Sequence, residues 1–309
     1  MARIVFMGTP EFAVPVLKKL IETQRVVGVV TQPDRPAGRG RRLQPPPIKE
    51  TAEAADIPVY QPRSLRSEEA ADPIRAWEPE MIVVAAFGQI LRPHVLELPP
   101  KGCLNVHASL LPRWRGASPI HYAILAGDKE TGISLMQMDV GLDTGPVYVQ
   151  EAVPIRPDET AASLHDRLAQ LGADMIGRHL ERILSGELTA VPQDDSGSTY
   201  ARMIKKEEGQ IDWQRPAAEI DRLIRAMTPW PGAFTTWEGH NLKVLSARLL
   251  EGSGSGAAGL VVAQGDGAAV LTGNGKLILE RVQLAGKTAT AMDDFLRGRP
   301  DFVGSRLGA

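Results

Sequence analysis

Ile4-Val5-Phe6-Met7-Gly8-Thr9-Pro10 is a short apolar run stopped by a glycine and a proline, and the chain that follows it decides the fold. Val14, Leu17 and Ile21 recur at helical spacing, and residues 26–30 form a second apolar run. A brief apolar run bounded by turn residues suits a buried strand, and apolar residues three or four apart suit a helix with one buried side. The alternation continues. Residues 68–77 read as a helix, with Ser67 where an N-cap belongs and carboxylates just after it. Residues 81–86 and 103–107 read as strands, and residues 118–126 as a helix closed by Gly127. Residues 133–138 are a further strand. Thr160 then opens a long amphipathic helix, with Leu164, Leu168, Leu171, Met175 and Leu180 on or near one face. Repeated strand-helix-strand units imply an α/β fold with a mostly parallel sheet covered by helices.

The texture changes near Val191. Pro192-Gln193-Asp194-Asp195-Ser196-Gly197-Ser198 is polar and turn-rich, which suits a linker. One helical segment follows, residues 217–227, then Pro229-Trp230-Pro231-Gly232. Five short β-prone runs come next: residues 234–237, 242–245, 260–263, 269–272 and 276–284. Such a series suggests a small barrel, of the oligonucleotide-binding type. The expected organisation is residues 1–190, a linker at 191–206, and a smaller β-barrel domain at 207–309.

At 43% hydrophobic and 23% charged, the 309 residues supply ample core, and the formal charge of -2 argues against global attraction to nucleic acid. Any basic surface must be local. Cys103 is alone, so no internal disulfide is available, and a reducing compartment such as the cytoplasm is expected. The six histidines lack metal-site spacing, so no metal is expected. The first strand lacks the apolar core of a signal peptide, and no run reaches the roughly 20 apolar residues that span a bilayer. There is no Gly-x-Ser-x-Gly elbow and no Gly-x-Gly-x-x-Gly after the first strand, which removes the obvious hydrolase and dinucleotide readings.

Asn105-Val106-His107 closes a strand. Side chains alternate along a strand, so Asn105 and His107 share a face. In an open α/β sheet, ligands bind beyond the carboxyl ends of strands. Alone, this pair is more simply a loop-bonding amide and a satisfied histidine. Asp139-Val140-Gly141-Leu142-Asp143-Thr144-Gly145 also follows a strand, and a carboxylate there could orient an imidazole or accept a proton. Alone, it is more simply a solvated turn. Between Thr31 and Pro47, Arg35, Arg39, Arg41 and Arg42 face one acid, Asp34, and Pro33, Pro36 and Pro45 to Pro47 keep the segment out of helix and strand. A basic, irregular insertion suits phosphate contact, with a solvated surface loop as the alternative.

Taken together, Asn105-Val106-His107-Ala108-Ser109-Leu110-Leu111-Pro112-Arg113-Trp114-Arg115-Gly116 and Gln137-Met138-Asp139-Val140-Gly141-Leu142-Asp143-Thr144-Gly145 resemble the folate-dependent formyltransferases in order and separation. Phe6-Met7-Gly8-Thr9-Pro10, Gln32-Pro33-Asp34-Arg35-Pro36-Ala37-Gly38-Arg39-Gly40 and Pro229-Trp230-Pro231 resemble the branch whose acceptor is initiator methionyl-tRNA. The likeness covers almost the whole chain. It implies a Rossmann-like N-terminal catalytic domain, a C-terminal barrel that binds tRNA, 10-formyltetrahydrofolate as donor, and a monomer. It also implies Asn105, His107 and Asp143 as the catalytic set, with Ser109, Leu110, Leu111 and Pro112 against the folate. Arg35, Arg39, Arg41 and Arg42 then face the tRNA. Arg41 and Arg42 stand where lysines are common in the family, which keeps the charge and changes the donor geometry. Rival readings are a formyltransferase for amino-sugar nucleotides, a folate hydrolase and a noncatalytic RNA-binding module.

Overall fold

The computed structural model describes residues 1–37, 42–250 and 256–308. The chain groups into two compact units. One comprises Met1–Pro119, Glu130–Pro154 and His165–Ala201; the other comprises Ile120–Lys129, Ile155–Leu164 and Arg202–Ala309. Of residues 191–206, read from sequence as a linker, 191–201 group with the first unit and 202–206 with the second.

The first unit is built on a seven-stranded sheet. Its order is Val147–Pro154, Glu130–Gln137, Cys103–His107, Met81–Ala85, Arg3–Gly8, Arg25–Val30 and Val59–Tyr60. The Arg25–Val30, Val59–Tyr60, Met81–Ala85 and Cys103–His107 strands join Arg3–Gly8 through parallel pairings. Glu130–Gln137 runs antiparallel to both of its neighbours. The sheet is therefore mostly parallel, as the alternating pattern implies. Its central strands are buried because helices cover them: Ile4 to Met7, Ile82, Val83 and Leu104 are all under 2% exposed.

The long helix Ala161–Leu184 is started by its cap. The Thr160 hydroxyl accepts from the Ser163 amide at 3.2 Å, and the Ser163 hydroxyl accepts from the Thr160 amide at 3.0 Å. Leu164, Leu168, Met175 and Leu180 are buried, as the spacing predicts. Gly172 lies against the Cys103–His107 strand. A Cβ at that position would stand 2.8 Å from Val106 Cγ1, so only glycine lets the helix back so closely onto that strand.

Two local expectations differ. The helix expected at residues 68–77 is a 3-10 turn, Glu69–Ala71, followed by a short helix, Asp72–Ala76. Pro73 lies in the first turn of that helix, where its missing N–H is tolerated, and Glu68 occupies the cap of the preceding turn without a side-chain bond. The basic segment was expected to avoid regular structure, yet Arg35–Ala37 and Arg42–Gln44 pair as an antiparallel ribbon. In a two-stranded ribbon each strand is an edge, where proline is tolerated, and Pro36 sits opposite Leu43. Arg39 and Arg41 lie outside the described residues.

The second unit holds an antiparallel sheet in the order Ala233–Trp237, His240–Leu250, Lys276–Leu284, Gly267–Leu271 and Val261–Gln264, with Thr290–Ala291 also paired to Lys276–Leu284. The five β-prone runs read from sequence fall on its five main strands. The C-terminal segment spans its two edges. Gly304 N donates to Val261 O, Val261 N donates to Ser305 O, and Gly308 N donates to Thr236 O, each at 2.9 Å. The C-terminal segment thus covers part of each edge strand, at Val261 and at Thr236. Ile220, Ile224, Trp213, Trp237, Phe295 and Phe302 share this unit's core.

Candidate active site

Asn105 and His107 lie at the carboxyl end of a strand whose five residues are all buried. Their shared face follows from the strand period, and register sets them opposite Met136 and Ser134 of the antiparallel neighbour. Asn105 is 9% exposed and His107 6%. These are buried polar groups that require partners. Those partners come from two loops.

The loop after Glu130–Gln137 supplies Asp143. Asn105 Nδ2 donates to Asp143 Oδ1 at 3.4 Å, and His107 Nδ1 lies 3.8 Å from Asp143 Oδ2. His107 Nε2 lies 3.0 Å from the Trp114 carbonyl. A carbonyl only accepts, so Nε2 bears a hydrogen and Nδ1 is the edge turned toward Asp143. Asn105 Nδ2 has two hydrogens, of which Asp143 accepts one. The three residues that the sequence pattern singled out are therefore brought together.

The two carboxylates of this loop do different jobs. Asp139 Oδ1 accepts from the Gly141 amide at 3.0 Å and from the Thr144 hydroxyl at 2.7 Å, which makes it a turn former. Asp143 has a left-handed backbone, φ 53°. Its Oδ2 accepts from the Gly116 amide at 2.8 Å. Gly116 itself has φ 110°, and a Cβ there would stand 2.7 Å from the Ala201 carbonyl, so the position requires glycine.

The Ser109 to Pro112 segment is anchored from below. The Ser109 hydroxyl donates to the Arg113 carbonyl at 2.7 Å. The Ser134 hydroxyl donates to the Ser109 carbonyl at 2.6 Å and accepts from the Leu111 amide at 3.1 Å. Gln150 Nε2 donates to the Leu111 carbonyl at 2.8 Å. Ser109 and Leu111 are buried, whereas Leu110 and Pro112 are half-buried.

In the basic segment, Asp34 is engaged by its own framework. Gln61 Nε2 donates to Asp34 Oδ1 at 2.7 Å and Lys49 Nζ reaches Oδ2 at 2.9 Å. These bonds hold the Asp34 carboxyl below its ordinary range, the Gln61 bond first. The single acid of the segment is thus matched by a lysine from the following helix, Pro47–Glu53. Arg35 is exposed and donates to Gln32 Oε1 at 3.2 Å.

Sequence reasoning missed two residues. Gln193 donates through Nε2 to the carbonyls of Asp143 and Gly145, at 2.9 and 2.7 Å. Arg115, 2% exposed, reaches Gln193 Oε1 through Nε at 3.0 Å and Nη2 at 2.8 Å. Gln193 lies in a turn-rich stretch some 50 residues beyond the loop it grips, and only Arg115 stood within the motif. Among the described residues no group of three metal-ligating side chains is found, and no helix is long and apolar enough to cross a membrane.

Comparison with known proteins fits this geometry. Residues 2–180 match the formyl transferase family and residues 203–300 match the formyl transferase C-terminal domain. The chain belongs to the formyl transferase family. The methionyl-tRNA formyltransferase of Trichlorobacter lovleyi is 50% identical over 307 residues, 99% of this chain and 96% of that protein. That of Halorhodospira halophila is 53% identical over 300 residues, 96% of each chain. Among solved structures, an N-formyltransferase from Helicobacter canadensis, in complex with folinic acid and dTDP-3-aminofucose, has a TM-score of 0.67. Its identity is 20%, over 90% of this chain and 99% of that one, and that likeness shows the fold.

Proposed function

We propose that this chain transfers the formyl group of 10-formyltetrahydrofolate to the amino group of methionyl initiator tRNA. The supporting observation is the convergence of Asn105, His107 and Asp143 at one strand end. It occurs in a chain about half identical, over nearly its full length, to methionyl-tRNA formyltransferases. Such an enzyme works where translation starts, which places it in the cytoplasm. A monomer suffices, because all three groups come from one chain.

The chemistry follows from the geometry. The methionyl nitrogen attacks the formyl carbon, and negative charge develops on the formyl oxygen. The second Nδ2 hydrogen of Asn105 donates to that oxygen. A preorganised donor aimed at developing charge is the largest single contribution available to such a site. His107 holds its Nε2 hydrogen on the Trp114 carbonyl, so the proton it lends is on Nδ1, beside Asp143. The attacking amine must lose a proton, and Asp143 is the carboxylate that faces both other groups. The bond from the formyl carbon to the folate nitrogen then breaks, that nitrogen takes the Nδ1 proton lent by His107, and the proton lost by the amine, received by Asp143, restores it. No metal takes part in this scheme.

The Ser109, Leu110, Leu111 and Pro112 segment offers the folate its half-buried members, Leu110 and Pro112, on a backbone fixed by Ser134 and Gln150. Arg35, Arg39, Arg41 and Arg42 grip the acceptor arm of the tRNA. Asp34 is matched by Lys49, and guanidinium forks suit phosphates and base edges. Residues 1–190 act as the catalytic domain and 207–309 as the tRNA-binding domain, joined by 191–206. The test offers labelled 10-formyltetrahydrofolate with methionyl initiator tRNA, with an amino-sugar nucleotide, or with water alone. Label on the methionyl amine alone is expected. Label on the sugar, or formate release at the same rate without acceptor, would overturn the assignment.

A further inference from the structure

The Asp143 turn is held at three points, two on Asp143 and one on Gly145. The Asp143 side chain receives the Gly116 amide, and its own carbonyl and that of Gly145 both receive Gln193 Nε2. One side-chain amide therefore clamps the turn on both sides of Thr144. Gln193 is itself fixed from the other end, because two hydrogen bonds from Arg115, through Nε and Nη2, converge on its Oε1. Arg115 and Gly116 are consecutive. The Gly116 main chain takes the Asp143 carboxylate, and the Arg115 side chain takes the Asp143 backbone through Gln193.

The same segment also shapes the histidine side of the site. Tyr200–Ala201 pairs with Arg115–Gly116 as a short parallel ribbon. Thr199 Oγ1 accepts from the Trp114 amide at 2.9 Å, and the Trp114 carbonyl receives His107 Nε2. A buried guanidinium is costly unless it is paired. Arg115 meets Asp195 Oδ1 at 2.7 Å, and that carboxylate is 82% exposed. Burial works against the charge, and the bonds to Asp195 and Tyr200 outweigh it and raise the Arg115 pKa. Arg115 thus bonds two acceptors, the well-solvated Asp195 carboxylate through Nη2 and Gln193 Oε1 through both Nε and Nη2.

We infer that Gln193, held by Arg115, is a positioning residue for formyl transfer, which sets the Asp143 carboxylate against Asn105 and His107. This rests on the assignment of Asp143 as catalytic. The predicted consequence is specific to the chemical step. Misplacing a catalytic group by about 1 Å can cost about 100-fold. Loss of the Gln193 clamp should lower single-turnover transfer by about 10- to 100-fold, with the KM for 10-formyltetrahydrofolate nearly unchanged and the chain still folded, its thermal midpoint lowered by about 2–4 °C for each kcal/mol of lost hydrogen bonding.

The experiment uses the full chain with 10-formyltetrahydrofolate and methionyl initiator tRNA, under excess enzyme. Four proteins are compared with the parent: Gln193→Glu, Gln193→Met, Asp143→Asn and the Gln193→Glu/Asp143→Asn double variant. Gln193→Glu keeps an acceptor for Arg115 and places a carboxylate against two carbonyls; Gln193→Met keeps the length and removes both bonds. Both single Gln193 variants should be slow, and in the Asp143→Asn background Gln193→Glu should cost nothing further, because residues acting through one group are not additive. Normal rates in both Gln193 variants, with Asp143→Asn inactive, would overturn the positioning role and leave the catalytic assignment standing. Full additivity in the double variant would also overturn it. Near-normal transfer by Asp143→Asn would remove the catalytic assignment, and the inference with it.

Discussion

Replacing Asn105 by alanine separates the chemistry of this site from its architecture. The amide makes one bond in the structure, to Asp143 Oδ1 at 3.4 Å, which is at the weak end of the hydrogen-bond range. A typical intramolecular hydrogen bond contributes about 0.5–1.5 kcal/mol net, and a long one lies at the lower end. For a domain of this size, about 1 kcal/mol moves the thermal midpoint by about 2–4 °C. Asn105→Ala should therefore unfold within about 4 °C of the parent. The rate should respond very differently. Loss of one oxyanion donor costs about 100–1000-fold in turnover. The assay is kcat for transfer from 10-formyltetrahydrofolate to methionyl initiator tRNA, with a melting curve and a folate binding isotherm on the same sample. A loss under about tenfold would refute the donor role, since a preorganised donor cannot be removed so cheaply. A large loss accompanied by collapse of the melting curve would refute the claim that the amide serves chemistry in preference to packing.

Three further outcomes follow. Gly116→Ala should lose both stability and activity, because a Cβ there meets the Ala201 carbonyl at 2.7 Å and the shift it forces carries the amide away from Asp143; a normal melt and normal kcat would contradict this. Arg39, Arg41 and Arg42 changed together to alanine should weaken tRNA binding and reduce the slope of log K against log salt by about 0.7–0.9 per lost phosphate contact, with folate affinity unchanged; weakened folate binding with unchanged tRNA affinity would reverse the assignment. Burial pushes the Cys103 thiol up to about 12, so a haloacetamide at pH 8 should label it only after unfolding. The unfolded chain releases this proton earlier than the folded one, so between the ordinary 9.0 and about 12 the residue subtracts stability as pH rises, by about 1.4 kcal/mol per pH unit. The difference between the parent and Cys103→Ala melts should grow with that sign.

Much of the architecture was legible because it rests on periodicity. The strands Arg3–Gly8, Arg25–Val30, Met81–Ala85 and Cys103–His107 are buried in mid-sheet, so they appear as short apolar runs. The edge strand Val147–Pro154 did not stand out, because Val149, Glu151 and Val153 only partly leave solvent, Gln150 and Ala152 are exposed, and Glu151 and Pro154 break the apolar run. The ribbon at Arg35–Ala37 was hidden by its prolines, which exclude a central strand and not an edge. In the site, a two-residue spacing put Asn105 and His107 on one strand face, but alone they read as a loop-bonding amide and a satisfied histidine, and the segment holding Asp139 and Asp143 read as a solvated turn; the resemblance to the formyltransferases joined Asp143 to the pair. Gln193 left no such mark. Its role is set by folding a polar stretch back against Arg115, and a polar stretch without periodicity reads as a linker whatever it touches.

In the proposed mechanism Asn105, His107 and Asp143 perform formyl transfer together. The most direct test is a rapid-quench single turnover with [14C]formyl-tetrahydrofolate and methionyl initiator tRNA, on the parent and on His107→Ala. His107 is 6% exposed and its ring bonds the Trp114 carbonyl, so binding of both substrates by the variant is verified first in equilibrium assays. Label should appear on the methionyl amine in the parent, and the variant should bind folate and tRNA but transfer at least about 100-fold more slowly. Transfer by His107→Ala at close to the parental rate would contradict that mechanism.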